Sequence, residues 1–406
     1  MPKGPGIAVL PFLNLSGDPS QEYFSDGLTE DILTELSRAR DLRVLARNTT
    51  FQYKGKAVDV SKLGRELGVR YMLEGSVRRA GDDLRITAQL IDAETGAHIW
   101  ADKFDRKMAD VFAVQDEIVG RIVGKVAGGY GAIESTEAKS AARKSPEQIE
   151  AYDLVLRAHA AMWLWTHESF RSARELLSQA IAIDPENARA HREIAWLAVV
   201  GLISHLDKTP VPPKEIVAQA IKAVQLNPSD GRAHMVAAAA YFFNKQLDLF
   251  EHEAQQAIAL APYDAESLAA LGYMTATSGD WPRGVALAEK ANALNADAAA
   301  GWYHATLYLN YYLTGDYVRA LELIRQDPNQ ETLYSYIDYL PILGQIGRKE
   351  EAREKWQKVL GEDPSWTAES FVKWYKIWNI RDEDSAKFME GIYKTGVLGA
   401  EAKPGL

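Results

Sequence analysis

Cysteine is absent from the chain, and that excludes disulfides, thiolate zinc sites and cysteine nucleophiles at once. It leaves the compartment open: the expectation is the cytoplasm, with a soluble part of a membrane protein beyond the inner membrane as the alternative. Long apolar runs are missing too. Nothing approaches the roughly 18 consecutive apolar residues that a membrane helix needs. The start, Met1-Pro-Lys-Gly-Pro-Gly6, lacks the apolar core of a signal peptide and reads as a trimmed start or linker. Cationic residues are in deficit, 46 Lys and Arg against 56 Asp and Glu, for a formal net charge of -10. Nucleic acid is therefore not an expected partner, since phosphate binding needs a concentrated basic surface.

Motifs that carry chemistry are equally scarce. No G-x-x-x-x-G-K-[ST] loop exists, and Gly55-Lys56 lacks both the upstream glycine and the following hydroxyl residue. Ser16-Gly-Asp-Pro19 precedes a helix and offers free N–H groups to an anion, but Asp18, Glu22 and Asp26 would repel a phosphate there, so it reads as a structural turn. His167-Glu168 and His252-Glu253 lack the second histidine of a zinc helix. No catalytic residue, metal or cofactor is assigned, and the chain is read as non-enzymatic.

Repetition is what the chain has. From Ala151 to Trp366, Ala-rich helical runs are closed by Asp184-Pro185, Asn227-Pro228, Ala261-Pro262, Asn295-Ala296, Asp327-Pro328 and Asp363-Pro364. The spacings are 43, 34, 34, 32 and 36 residues, close to the ~34 of a tetratricopeptide repeat. Small residues recur where two helices of a hairpin must approach: Ala180, Ala223, Ala257 and Ala291 at one offset, and Ala173, Ala320 and Ala352 at another. Gly279, Gly315 and Gly347 fall between the helices of their units, where a left-handed backbone suits glycine. On these residues the stretch resembles the tetratricopeptide family. Phe250 departs from the pattern by standing where a small residue is usual, and residues 201–213 insert a Pro-rich loop that should make the second unit irregular. His191 and His234 occupy equivalent positions of successive repeats and read as packing residues. The helices at about Thr367 to Trp378 and Asp384 to Thr395 are expected to cap the stack, with Trp374 and Trp378 covering the last hairpin, and the tail from Gly399 to fray.

The amino-terminal 131 residues are patterned differently. Ile7-Ala-Val-Leu-Pro-Phe12 is a buried-strand run, and Phe24, Leu28, Ile32 and Leu36 form one stripe of a helix. Leu42 to Arg47 reads as a second strand, and Asp59 caps a helix that Gly68 ends. Period 2 then takes over in Val69, Tyr71 and Leu73 and in Leu84, Ile86, Ala88 and Leu90, joined at Ala80-Gly-Asp-Asp83. A third strand follows from Ala97 to Phe104 after Asp92-Ala-Glu-Thr-Gly96. Val114, Ile118, Ile122 and Val126 close the domain with a helix. The order β-α-β-α-β-β-β-α predicts a small α+β domain, a mixed sheet with covering helices, followed by an all-α tetratricopeptide-type superhelix. Gly128-Gly-Tyr-Gly131 reads as a hinge, residues 132–150 as a linker, and residues 151–398 as the array with its capping helices.

Several dispersed blocks carry a second resemblance: Ile7-Ala-Val-Leu-Pro-Phe12, Ser16-Gly-Asp-Pro19, Glu22-Tyr-Phe-Ser-Asp-Gly-Leu-Thr-Glu-Asp31, Tyr53-Lys-Gly-Lys56, Leu67-Gly-Val-Arg-Tyr-Met-Leu-Glu-Gly-Ser-Val77 and Ala88-Gln-Leu-Ile-Asp-Ala-Glu-Thr-Gly-Ala-His-Ile-Trp100. They resemble a bacterial module related to the TolB amino-terminal domain, which stands before tetratricopeptide repeats in the C-terminal region of class III adenylate cyclases and in some winged-helix regulators. The resemblance implies a regulatory accessory region and supplies no active site. A cyclase domain, with its paired metal-binding aspartates, has no room here, and such a domain is implied as a partner or as a neighbour outside this chain.

By the tetratricopeptide resemblance, the first helix of each hairpin lines a binding groove for a protein or peptide. That places Met162, Trp165, Arg189, Arg192, Trp196, Arg232, Met235, Phe242, Tyr273, Trp302, Tyr312 and Tyr334 on the groove, residue types that dominate binding hot spots. Arg47, Lys54, Lys56, Arg78 and Arg79 form a candidate patch for an anion or acidic partner. The expected function is a non-catalytic regulatory and protein-interaction region, with a small-molecule sensor working through the amino-terminal domain as the alternative.

Overall fold

A computed structural model of the chain describes residues 4–107, 111–128, 131–144, 149–162, 164–204, 207, 210–294, 301–326 and 333–398. Two compact units emerge, Met1–Ala237 with Gln255–Asp264, and Ala238–Ala254 with Ala265–Leu406.

The first unit begins with a mixed sheet of six strands: β1 (Gly6–Val9), β2 (Leu13–Asn14), β3 (Arg43–Val44), β4 (Tyr71–Ala80), β5 (Asp83–Asp92) and β6 (Ala97–Lys107). The order is β3-β1-β4-β5-β6, with β2 also on β4. The pairings of β1 with β3 and β4, and of β2 with β4, are parallel, while β4-β5 and β5-β6 are antiparallel. Alternation decides the faces. Ile7 and Val9 point into one core with Leu73, Ile86, Leu90 and Phe104, covered by α1 (Glu22–Leu36) and α4 (Val111–Ala127). Ala8 and Leu10 point the other way, to Leu63 and Met72, beside α2 (Arg47–Phe51) and α3 (Val60–Leu67). Asp59 caps α3 by accepting from the Lys62 N–H at 2.9 Å, and Gly68 ends it at φ 64°, as read from the sequence. Gly81 turns β4 into β5 at φ 61°. The strand expected over Leu42 to Arg47 is shorter, because Arg47 already opens α2.

The stretch expected as a linker contains α5 (Ala132–Ala142), which buries Ile133 and Ala141. Its polar composition belongs to a helix whose glutamates bind charged neighbours, Glu134 to Arg189 and Glu137 to Arg70. Of the expected hinge, Gly129 and Tyr130 lie outside the described residues. Helical hairpins follow: α6 (Ala151–Met162) with α7 (His167–Ile183), and α8 (Ala188–Ser204) with α9 (Pro213–Leu226). Part of the expected Pro-rich insertion is helical, because α8 continues to Ser204. Then come α10 (Gly231–Phe243) and α11 (Leu247–Leu260), each divided between the two units.

The second unit pairs α12 (Ala265–Thr277) with α13 (Trp281–Leu294), α14 (Ala305–Leu313) with α15 (Tyr317–Ile324), and α16 (Leu333–Ile346) with α17 (Lys349–Glu362). The pair α18 (Ala368–Ile377) and α19 (Asp382–Thr395) ends it. The small positions behave as the repeat requires: Ala173, Ala180, Ala223, Ala257, Ala291, Ala320 and Ala352 are all fully buried. Gly279, Gly315 and Gly347 turn their hairpins at φ 117°, 90° and 82°. Phe250 is buried despite its size, because Phe242 receives it edge to face with ring centroids 5.4 Å apart. The turns at 295–296 and 327–328 and the tail from Gly399 lie outside the described residues.

Candidate functional site

The candidate wall is formed by the first helices, and its chemistry differs between the two units. In the first unit it is ionic. Arg189 and Arg192 stand three residues apart near the start of α8, so one helix face carries both, and Arg232 stands near the start of α10. Arg192 donates to Asp230 at 2.6 Å, to Glu193 at 3.0 Å and to Asp41 at 3.2 Å. Arg189 donates to Glu134 of α5 and lies 3.7 Å from Asp41. Arg232 takes Asp264 through two nitrogens at 2.7 and 3.2 Å. A cavity of about 100 Å³ opens beside these groups, lined also by Tyr152, Tyr263 and Arg38.

Burial opposes each of these charges, and their neighbours outweigh it. Desolvation alone would raise the Asp41 pKa, but Arg192, Arg189 and Arg232 outweigh it and lower the carboxyl to about 2. Glu193 is likewise held well below its ordinary value, against desolvation, by His159 and Arg192. His159 is pushed up, because the fields of Glu134 and Glu193 exceed the desolvation that would lower it.

The same helix α5 also serves the sheet. Glu137 accepts from Arg70 at 2.9 Å and from the Tyr71 hydroxyl at 2.6 Å, and Arg70 reaches on to Asp92 at 2.9 Å. Glu134 and Glu137, one turn apart, thus tie the array's first hairpins and the sheet to one short helix. Neither residue was singled out from the sequence, and no motif marks them. The available signal was only that a stretch rich in Glu, Ala and Lys forms helix readily.

In the second unit the wall is aromatic and covered. Trp378, just after α18, packs on Phe243 and Tyr273 with centroids at 5.1 and 4.7 Å, and lies 6.4 Å from Phe242. Phe388 of α19 stacks on Tyr312 at 5.1 Å, and the Tyr312 hydroxyl donates to the Lys387 carbonyl at 2.6 Å. The Lys245 ammonium, whose pKa desolvation lowers, donates to the Ile377 carbonyl at 3.1 Å and to Asn379 at 2.7 Å. Asn379 returns a bond to the Phe242 carbonyl at 2.9 Å. A Cβ on Gly344 of α16 would fall on the Gly391 carbonyl of α19, so the backbones touch there. The C-terminal pair therefore lies over first-helix residues of α10, α12, α14 and α16. The expectation that Trp378 covers the last hairpin is corrected: its ring meets Phe243 and Tyr273, which belong to earlier hairpins.

Most of the expected groove residues are consequently not open. Met162, Met235, Phe242 and Tyr312 are buried core side chains, because a large apolar residue on a tightly stacked helix fills the space between hairpins. Arg189 and Arg192 are buried in ion pairs, Arg232 is held by Asp264, and Tyr273 lies under Trp378. Trp165 sits in the turn after α6 at φ 48° and is 47% exposed. Trp196 and Trp302 are half-buried. The Tyr334 side chain lies outside the described residues.

Two of the five residues of the expected basic patch, Lys54 and Arg47, meet acids of α1. Lys54 bridges Glu22 and Asp26 at 2.7 and 2.6 Å, and Arg47 lies 3.7 Å from Glu30 and over the Phe51 ring. Lys56 lies over Tyr53. Arg79 donates to Gln21 and the Gly81 carbonyl, and Arg78 is exposed opposite Arg85. At Ser16-Gly-Asp-Pro19 the chain supplies its own anion: the Asp18 carboxylate accepts from the Ser20 N–H at 2.9 Å. His191 and His234 are packing residues as read, each lying 3.0 Å from the carbonyl of its own turn proline, Pro185 or Pro228.

A sheet module followed by helical hairpins is the class of protein this fold defines. Residues 4–121 match a family described as the HilA/YgeH-like transcriptional regulator, second domain. The chain is 43% identical over 253 residues to the Rhizobium meliloti (strain 1021) protein named "Putative adenylate cyclase 3", a match covering 62% of this chain and 43% of that protein. The chain thus spans less than half the length of that curated relative. Among solved structures, TolB from Acinetobacter baumannii is similar at 17% identity over 30% of this chain and 28% of its own, with a TM-score of 0.23. PilF of Pseudomonas aeruginosa is similar at 14% identity over 56% of this chain and 95% of its own, with a TM-score of 0.39. No described helix is long and apolar enough to cross a membrane.

Proposed function

We propose that the chain is a non-catalytic regulatory region of a bacterial signalling protein of the adenylate-cyclase-associated type, whose hairpin array takes a partner protein or peptide. The supporting observation is the array itself: stacked hairpins bury one another's faces and leave a wall that carries side chains and no reaction. Of the aromatic residues assigned to that wall, Trp165 is 47% exposed and Trp196 and Trp302 are half-buried. The likeness to a protein named a putative adenylate cyclase supports placing a cyclase domain among the partners.

A peptide array covering a bacterial proteome, probed with the full chain, tests this reading. Binding to discrete peptides should fall at least tenfold in Trp196→Ala plus Trp302→Ala. Unchanged binding in that variant removes the wall assignment, and a blank array removes the reading. Incubation with ATP and Mg or Mn should give no cyclic AMP.

A further inference from the structure

The arginine cluster of the first unit is held by unequal partners. Asp230 and Asp264 belong to the array and sit at 2.6 and 2.7 Å from Arg192 and Arg232. Asp41 comes from the short connection between α1 and β3, makes one bond at 3.2 Å, and approaches Arg189 no closer than 3.7 Å. Its side chain is 35% exposed, whereas those of Asp230 and Glu193 are 10% and 5% exposed. Arg189, only 9% exposed, has its Nε buried without a hydrogen-bond partner. All three arginines line the same cavity, and so does Asp41. Asp41 is thus the most exposed acid of the cluster and the one whose nearest arginine contact is longest.

We propose that Arg189, Arg192 and Arg232 form the seat for a carboxylate-bearing segment of the partner protein, and that Asp41 occupies this seat in the free chain. The inference rests on the proposed function, because it takes the array to be a partner-binding wall. Charge decides the class of ligand. With His159 protonated, the three arginines and the histidine balance Glu134, Glu193, Asp230 and Asp264, and Asp41 adds one negative charge. A single carboxylate replaces Asp41 one for one. A phosphate dianion would add a second negative charge in a confined space, where like charges repel strongly. Asp41 is also the partner whose departure disturbs least, since it is the most exposed acid of the cluster and the arginines keep their other acids when it goes.

The test uses the full chain and a fluorescein-labelled Gly/Glu octapeptide, with the Gly/Gln octapeptide amide as control. Asp41→Asn should bind the Glu peptide at least tenfold more tightly than the unaltered chain. The gain should vanish in Asp41→Asn with Arg189→Gln, weaken with salt, and be absent for the amide control. Equal affinity in Asp41→Asn and the unaltered chain, or binding that survives Arg189→Gln, overturns the proposal. If Asp41→Asn loses its native circular dichroism, Asp41→Ser replaces it; if both fail to fold, Asp41 is a structural residue and the proposal falls. A Glu peptide that fails while the peptide array still yields tryptophan-dependent binders removes the arginine seat and leaves the proposed function standing.

Discussion

The first-helix wall meets charge in one unit and aromatic rings in the other, and the two kinds of cover differ in how reversible they can be. Trp378 lies on Tyr273 and Phe388 on Tyr312, with Phe388 and Ile392 of α19 almost completely buried, and backbone meets backbone at Gly344 and Gly391. Such a cover is core, and removing it would expose a continuous apolar face. Over Arg189 and Arg192 the cover is one part-exposed carboxylate on a loop. Ion pairs of this kind gain little net stability, because desolvation offsets the attraction, so exchange of one carboxylate for another is thermodynamically close to even.

Four experiments would break or sharpen that contrast. Phe388→Ala should be the most damaging, by about 3–5 kcal/mol in a denaturant titration, as for large aromatic truncations in close-packed cores. If α19 were a detachable lid, the global unfolding midpoint would instead hold while α19 alone lost hydrogen-exchange protection. Arg192→Leu should follow at about 3 kcal/mol, since it strands Asp230, Glu193 and Asp41 together. A loss below ~1 kcal/mol would show that water reaches the cluster freely.

The third experiment is a pH series. His159 has a raised pKa in the folded chain, so its contribution is full below the ordinary histidine value and is lost as pH rises through the folded value. The thermal midpoint should fall as pH climbs above about 6.5, and His159→Gln should flatten that slope. A slope unchanged in His159→Gln would place the titrating group elsewhere. Last, Glu350→Gln, which loses a pair whose side chains are 60% and 84% exposed, should leave the thermal midpoint unchanged. A measurable drop would mean that surface pairs matter here as much as the buried cluster.

The fold was legible wherever a residue's local role equals its tertiary role. The buried alanines, the turn glycines, the Asp59 cap and the period-2 strands all concern neighbours a few residues away or on the adjoining strand, and they stand where the sequence put them. The site was less legible, because its partners are remote. Arg192 is 151 residues from Asp41 and Arg189 is 55 from Glu134. Tyr312 is 75 from the carbonyl it binds at Lys387. Nothing in the residue type tells an arginine that will face a partner from one that will face its own chain. The same ambiguity hid the aromatic cover, since Trp378 reads as a cap for the nearest hairpin until its neighbours are known.

Helix α5 has 11 residues, and its two glutamates reach in different directions, to Arg70 in the sheet and to Arg189 in the array. It acts as a rivet through two plates. A cut between Glu134 and Glu137 would divide both pairs, parting Arg189 from Glu134 and Arg70 from Glu137, although Arg70 would keep Asp92. Any rearrangement that transplants the sheet module onto another helical array must carry the rivet along, or supply a new acid opposite Arg70.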